Sequence, residues 1–222
     1  MAKKKEWQEG EMIATFNLTK IDTSVTPLME EWLDVENPVF DIVDERIFQK
    51  LLSKTNKITS WKEEDYKMKF ISQVLELGQV MEGEKFVSFF DKSFSAEVEG
   101  HKLSVKADFV IAKGVLDYLQ KPYFHFQAGG VPQYKPQKNP TGDPMAQILE
   151  AFLIAQVENK KEDSDNPLYG CEIVGVNWRF ITMEEKTYCV SKFYDCSDDE
   201  NLLKIIAILR KFKMILETRL LN

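Results

Sequence analysis

The spacing of hydrophobic residues predicts helices in the first quarter of the chain. A short β-prone run lies within residues 11–22, and beyond it apolar positions recur at intervals of three and four, as on one face of a helix. The two apolar faces consist of Leu28, Met29, Trp32 and Leu33, and of Val43, Ile47, Phe48 and Leu51. We therefore expect residues 1–58 to form an N-terminal helical extension packed on a main domain of residues 59–222.

A further helix is predicted to begin at Ser60. Ser60 and Glu63 have the spacing of a capping box, and Gly78 can end the helix. The apolar stripe of this helix would consist of Met68, Ile71, Val74 and Leu75. Glu64 lies seven residues before Ile71 and would share the inward face, where a carboxylate is costly unless it is paired. Spacing alone favours a second interpretation, a solvated glutamate that stabilises the first turn through the helix dipole.

A hairpin follows this helix. Residues 86–98 read as a strand, Glu99-Gly100 as a turn, and residues 103–112 as the returning strand. Alternate apolar residues of the returning strand would face one side, which leaves Ser104, Lys106 and Asp108 on the other. Aspartate is disfavoured in the middle of a strand, so a functional role for Asp108 is slightly favoured over an edge-strand charge.

A short aromatic strand is predicted over residues 123–127, and the segment AGGVP should interrupt it. Gln133 and Lys135 follow, and they share a face if that segment is extended. Asp143 and Pro144 are favourable N-cap and first-turn residues for a helix that ends near residue 159. Gln147 lies beside the buried stripe near its start, where an ordinary surface glutamine is the alternative interpretation.

The last third of the chain predicts a hairpin and a long helix. Residues 169–183 and 187–193 read as its strands, and Asp198 can cap an amphipathic helix over residues 199–221. The main domain therefore runs in the order helix, three strands, helix, two strands, helix. This order predicts the α+β class.

Composition narrows the possible functions. The net charge of −7 argues against indiscriminate binding of polyanions, so a nucleic-acid site would have to be local. The three cysteines have no spacing typical of zinc sites or disulfide frameworks, and we expect free, buried thiols. No apolar signal-like segment and no run of 18 apolar residues occurs, so we expect no membrane association and a cytoplasmic location.

The polar residues suggest metal chemistry. Mg²⁺ prefers hard oxygen ligands and keeps several waters, so Glu64 and Asp108 could hold it while a water attacks phosphorus. Lys135 would then stabilise the developing charge or orient that water.

The same residues resemble a known superfamily. The segments SWKEEDYKMKFI, VKADFVIAKG, PYFHFQ, YKPQKNPTGDPMAQILEAFLIAQ and PLYGCEIVGVNWRF are similar to the PD-(D/E)xK nucleases, and within them to a group of Bacteroidetes-type bacterial proteins. The resemblance covers most of the chain, from about Leu18 to its end. It implies an αβββαβ restriction-endonuclease-like core with a mixed sheet, and hydrolysis of phosphodiester bonds with Mg²⁺ or Mn²⁺.

The resemblance also implies roles for particular residues. Glu64, with Glu63 less favoured, would be the metal ligand of the first helix, Asp108 the central ligand, Lys135 the catalytic lysine and Gln147 the helix glutamine. Nucleic acid would be the partner, with DNA favoured over RNA and a homodimer left open.

One position departs from the superfamily pattern. Gln133 stands where the motif has an acid, and glutamine offers a metal only a neutral oxygen. If AGGVP loops out, Gln133 occupies the acid's place as a metal ligand, whereas if the strand does not resume, Gln127 occupies it and Lys135 is displaced. The first functional hypothesis is thus a weakened nuclease. The alternatives are a nuclease-fold module that binds nucleic acid or protein without cleavage, and a plain interaction protein.

Overall fold

The computed structural model describes residues 6–21, 25–113, 120–129, 143–160 and 165–221, with the backbone alone at 59 and 120–129. Helices flank a mixed eight-stranded sheet, which confirms the α+β class. The predicted sites Gln133 and Lys135 lie outside the described residues.

The N-terminal region contains three helices and one short strand. Their bounds are α1 Glu9–Phe16, β1 Thr19–Ile21, α2 Pro27–Leu33 and α3 Ile42–Leu52, followed by a 3₁₀ turn at Thr55–Ser60. The short β-prone run predicted within residues 11–22 is present as β1, whereas the first part of that range belongs to α1, which continues to Phe16 before Asn17 ends it with a positive φ of 51°. Strand β1 pairs in parallel with β7, so the N-terminal region contributes to the main sheet.

The next helix is irregular, and its start was predicted wrongly. Ser60 belongs to the preceding 3₁₀ turn, and Lys62 is the N-cap without a side-chain capping bond. The helix consists of α4 Glu63–Tyr66, a π-helical turn Lys67–Ile71 and α5 Ser72–Leu77. Met68, predicted to lie in the apolar stripe, is 71% exposed. The π turn has a wider hydrogen-bond spacing than an α-helix, so 3.6-residue periodicity fails across it.

Seven strands form one continuous path through the sheet. The remaining strands are β2 Val87–Val98, β3 His101–Lys113, β4 Gln120–Gly129, β5 Leu168–Val174, β6 Asn177–Glu184, β7 Thr187–Val190 and β8 Tyr194–Asp195. Their order is β1-β7-β6-β5-β4-β3-β2, with β8 paired to β6. Strands β2, β3 and β4 form an antiparallel meander, after which helix α6, Pro144–Lys160, leads to β5, which is parallel to β4.

Two strand predictions needed correction. Strand β4 continues through Ala128 and Gly129 because both residues pair with β5, so the AGGVP segment does not interrupt the strand at its first residue. The predicted single strand over 169–183 is two strands, β5 and β6, separated by a turn in which Gly175 has a φ of 62°. A glycine tolerates this left-handed conformation without a steric penalty.

Helices cover both faces of the sheet. Trp178 and Phe180 of β6 contribute to a core with α2, α3, α5 and the long helix α7, Asp199–Ile215, whereas Ile181 and Met183 contribute to a core with α1 and α6. Residues of opposite parity in a strand point to opposite faces, so the two cores are separated by the sheet. As predicted, Asp198 caps α7 by accepting a hydrogen bond from the Asn201 N–H at 2.9 Å, and Cys171, Cys189 and Cys196 are free and buried.

Candidate active site

Asp108 lies in the interior of β3, the strand next to the edge strand β2. It is only 8% exposed, whereas Lys106, two residues earlier, is open to solvent. Phe109 pairs with Phe126 of the antiparallel strand β4. Asp108, one residue earlier, therefore stands opposite Gln127, one residue later. Gln127 in turn pairs with Glu172 of β5. The register therefore brings polar residues of three neighbouring strands to one level of the sheet.

Asp108 is joined to the first helix of the main domain by Lys67. The Lys67 Nζ donates to Asp108 Oδ1 at 2.6 Å and lies 2.7 Å from Glu63 Oε1. The Lys67 and Asp108 side chains are 11% and 9% exposed, whereas that of Glu63 is 44% exposed. One partly buried ammonium thus contacts two carboxylates, one from the sheet and one from the helix.

The ion pairs change the protonation equilibrium of Lys67. Burial by itself lowers the pKa of Lys67, but the hydrogen bonds to Asp108 and Glu63 outweigh it and raise the pKa above the usual range of lysine. Lys67 is therefore a permanent cation at neutral pH.

Glu63 and Glu64 are both exposed, but only Glu63 belongs to the cluster. Glu64 would share a face with Ile71 on α-helical spacing, but the π turn Lys67–Ile71 lies between them. A π turn contains more residues than an α-helical turn, so residues seven positions apart no longer face the same way. Glu64 is a solvated glutamate, as the second interpretation expects, and no ion pair joins it to another described residue. The Glu63 carboxylate contacts Lys67, which in turn contacts Asp108.

Asp91 on β2 is a further acid near this cluster. It pairs with Lys106 Nζ at 2.9 Å, and it has a positive φ of 52° within the strand. The hydrogen bond from Lys106 lowers the pKa of Asp91, and the charge of Lys67 contributes to the same shift. Sequence reasoning did not select Asp91 or Lys67. The available signal for Asp91 was an aspartate inside a β-prone run, and that for Lys67 was its position four residues after Glu63.

A second buried ion pair lies elsewhere in the sheet. Arg179 of β6 donates through Nε to Glu172 Oε2 at 2.6 Å, and its NH2 group contacts the same oxygen. The guanidinium carbon lies 4.5 Å from the centre of the Phe193 ring. Burial raises the pKa of Glu172 in spite of Arg179, and the negative charges of Asp143 and Glu9 act in the same direction.

Gln147 lies in the first turn of α6, as predicted. Asp143 Oδ1 accepts hydrogen bonds from the Met145 and Ala146 N–H groups at 3.0 and 3.2 Å, which confirms Asp143 as the N-cap. Gln147 is half-buried on the helix that packs over β4 and β3. No hydrogen bond connects its side chain with Lys67, Asp108 or Glu63 within the described part of the chain.

The cluster offers the hard oxygen donors that Mg²⁺ prefers. Asp108 Oδ1 and Glu63 Oε1 both bind one nitrogen, at 2.6 and 2.7 Å, so they are at most 5.3 Å apart, the sum of the two distances. Proteins bind Mg²⁺ through one or two carboxylates together with waters and substrate phosphates. Across the described ranges no three His, Cys, Asp or Glu side chains form one metal-binding group.

Comparisons with known proteins add no assignment. Within the described residues, no helix combines the length and apolar character needed to cross a membrane. No family model matches the chain, and no curated protein matches it.

Proposed function

We propose that the protein is a metal-dependent nuclease that hydrolyses phosphodiester bonds of nucleic acid, with DNA favoured over RNA. The observation that carries this proposal is the buried cluster at Asp108, where a strand aspartate and a helix glutamate converge on one lysine. An acid buried inside a strand has no structural advantage over an apolar residue, because its desolvation must be offset by partners. Such clusters concentrate at functional sites.

The strand topology supports the same proposal. A helix, a three-stranded antiparallel meander, a second helix and a parallel fourth strand follow one another from α4 to β5. This is the αβββαβ order that the sequence resemblance implies for a restriction-endonuclease-like core. In that core Asp108 would be the central ligand on the second strand, and Gln127 would stand at the level of the motif acid on the third.

Each residue has a chemical role in this proposal. Asp108 and Glu63 would hold Mg²⁺ or Mn²⁺. Of the other two predicted ligands, Glu64 is exposed and Gln133 lies outside the described residues. A bound divalent cation would supply positive charge for the phosphate and lower the pKa of the attacking water. Lys67 or Lys135 would stabilise charge on the phosphate oxygens, and Gln147 would contact substrate. Three free thiols fit a cytoplasmic location.

A second candidate function is a nuclease-fold module that binds nucleic acid or protein without cleaving it. The observation that favours it is that the Lys67 ammonium already occupies the space between the Asp108 and Glu63 carboxylates. The presence of Gln133 in place of an acid points the same way, because an amide oxygen holds a divalent cation less firmly than a carboxylate.

The deciding experiment is a cleavage time course with the purified protein. Supercoiled plasmid, linear duplex DNA and single-stranded RNA are incubated with Mg²⁺, Mn²⁺ or EDTA. We expect metal-dependent cleavage by the wild type and its loss in Asp108→Asn. The matched control is Glu172→Gln, which neutralises another buried, salt-bridged acid of the sheet and should leave cleavage unchanged. If the wild type cuts none of the substrates but still binds DNA, the second candidate replaces the first.

A further inference from the structure

One segment of the chain departs from the overall acidic balance. Between positions 46 and 62 every charged residue is basic, although the whole chain carries a net charge of −7. These residues are Arg46, Lys50, Lys54, Lys57 and Lys62. All of them except Lys54 are open to solvent. An acidic protein therefore presents a local concentration of positive charge.

Acids do not neutralise most of these cations. Three of the four arginines of the chain pair with a carboxylate, namely Arg179, Arg210 and Arg219. Arg46 is the fourth, and no ion pair joins it to a described residue. Across the described ranges the same holds for Lys50, Lys57 and Lys62. The helix dipole accounts for Lys50 in the last turn of α3, but not for Arg46 in its first half.

Contacts connect this segment to the helix of the candidate active site. Lys54 Nζ donates to the Lys69 carbonyl oxygen at 2.8 Å and to Gln73 Oε1 at 3.1 Å. Burial and the charges of Lys50 and Lys69 lower the pKa of Lys54, so these three cations lie near one another. Lys69 belongs to the π turn and lies two residues beyond Lys67. Together the cations form a basic stripe, which consists of Arg46, Lys50, Lys54, Lys57, Lys62 and Lys69.

Trp61 is the aromatic residue within the basic stripe. Three of the four tryptophans of the chain are buried, and Trp61 alone is partly exposed. Lys69 Nζ, which also pairs with Asp65, lies 5.8 Å from the centre of the Trp61 ring. An accessible ring among cations is a surface on which an unpaired base can stack while the neighbouring phosphates meet the cations.

We propose that the basic stripe and Trp61 bind single-stranded nucleic acid, with the cations on the phosphates and the Trp61 ring stacked on a base. This inference deepens the proposed function and rests on it. The bases of a duplex stay stacked on one another, so only an unpaired segment offers a base to Trp61. Lys69 and Lys67 share one π turn, so a strand on the stripe would lie next to the Asp108 cluster. The preferred substrate is therefore DNA with an unpaired region.

The first test measures the binding of a short fluorescent DNA strand by anisotropy, in EDTA so that no cleavage interferes. Lys50→Gln should weaken binding severalfold and should reduce the salt slope of the logarithm of the binding constant by about 0.7, the loss of one phosphate contact. The matched control is Lys102→Gln, which removes an exposed lysine of β3 that also lacks an ion pair with any described residue. It should leave the affinity within about twofold and the slope unchanged.

The second test concerns the Trp61 ring. Trp61→Leu keeps an apolar side chain but removes the stacking surface, so it should weaken strand binding by about tenfold and leave duplex binding within about twofold. Trp61→Phe keeps a ring and should retain most of the affinity. In the wild type the DNA strand should quench tryptophan fluorescence, because Trp61 is the tryptophan that is not buried. Polyglutamate should bind more weakly and should not quench.

The outcomes separate this inference from the proposed nuclease. The inference is overturned if the wild type does not bind the strand, binds the duplex equally well, or loses as much affinity through Lys102→Gln as through Lys50→Gln. Polyglutamate that binds as tightly as the DNA strand would assign the stripe to an acidic protein partner instead. If the wild type cleaves DNA while Lys50→Gln and Trp61→Leu bind and cut equally well, the stripe is wrong and the nuclease stands. If the stripe binds the strand as expected but no metal supports cleavage, the inference stands and the nuclease fails.

Discussion

Two ion pairs of buried sheet acids behave in opposite ways. At Lys67 and Asp108, hydrogen bonding outweighs burial, and the pKa of the lysine is raised so that its charge is secured. At Glu172 and Arg179, burial outweighs the attraction of the arginine, and the pKa of the acid is raised so that its charge is disfavoured. Both acids belong to strands that have a neighbouring strand on each side, and both are nearly inaccessible to water.

The difference lies in the charges around each pair. Lys67 has two carboxylate partners, whereas Glu172 has one arginine and two further acids, Asp143 and Glu9, that act against its ionisation. Burial of an ion pair is therefore not sufficient to indicate a functional site. Our proposal assigns the function to the Asp108 cluster, while the Glu172 pair suits a structural role.

The largest expected effect is on stability when Lys67 loses its charge. Lys67→Met leaves the Asp108 carboxylate buried without its ammonium, and breaking such a pair costs about 3 kcal/mol of unfolding free energy. Glu172→Gln at pH 7 should cost much less, because the carboxylate that it removes is already disfavoured by burial. Urea denaturation of both variants and the wild type measures the two costs. Equal losses would remove the distinction between the pairs.

Adding an acid to β4 or to the segment after it should strengthen the Asp108 site. Gln127 lies between the two pairs, beside Asp108 and paired with Glu172, and Gln133 is the alternative position for the missing motif acid. A third carboxylate should raise cleavage with Mg²⁺ by about tenfold, since it holds the cation better than an amide does.

Cleavage rates of Gln127→Glu and Gln133→Glu identify which glutamine occupies the acid's place. We expect one of the two variants to gain activity and the other to leave it unchanged. With Mn²⁺ in place of Mg²⁺, the difference in cleavage rate between the active variant and the wild type should be smaller, because Mn²⁺ tolerates weaker ligand sets. A gain in neither variant, with wild-type cleavage intact, would show that the site works without a third acid.

The raised pKa of Glu172 predicts that stability depends on pH. Its folded pKa lies above that of the unfolded chain, so the folded state binds more protons between the two values. Its contribution to stability is complete below the unfolded pKa, about 4.3 for glutamate, and is lost as the pH rises through the folded pKa. The Glu172→Gln variant has no carboxyl group at this position, so its stability does not change through this ionisation. The unfolding free energy of the variant relative to the wild type should therefore increase from pH 4 to pH 8, and a constant difference would contradict the burial argument.

The sequence predicted local features better than the site. The turn at Glu99-Gly100 and the cap at Asp143 follow from the preferences of a few neighbouring residues, and both are present in the structure. The choice of Glu63 over Glu64 depends on a π turn, which spacing does not reveal. The contact between Lys67 and Asp108 joins residues 41 apart in sequence, so it exists only after the helix packs on the sheet.

The smallest expected effect concerns the ring that covers Arg179. Phe193 is 54% exposed, and its ring centre lies 4.5 Å from the Arg179 guanidinium carbon. An exposed cation–π contact contributes about 0.5–1 kcal/mol, so Phe193→Ala should lower the unfolding free energy by that amount. Phe193→Leu keeps most of the apolar contact area and serves as the control for lost packing. Because this pair is structural in our interpretation, neither variant should alter Mn²⁺ affinity or cleavage. A loss of cleavage in Phe193→Ala with stability nearly unchanged would place the second pair in the active site and reverse the assignment of roles.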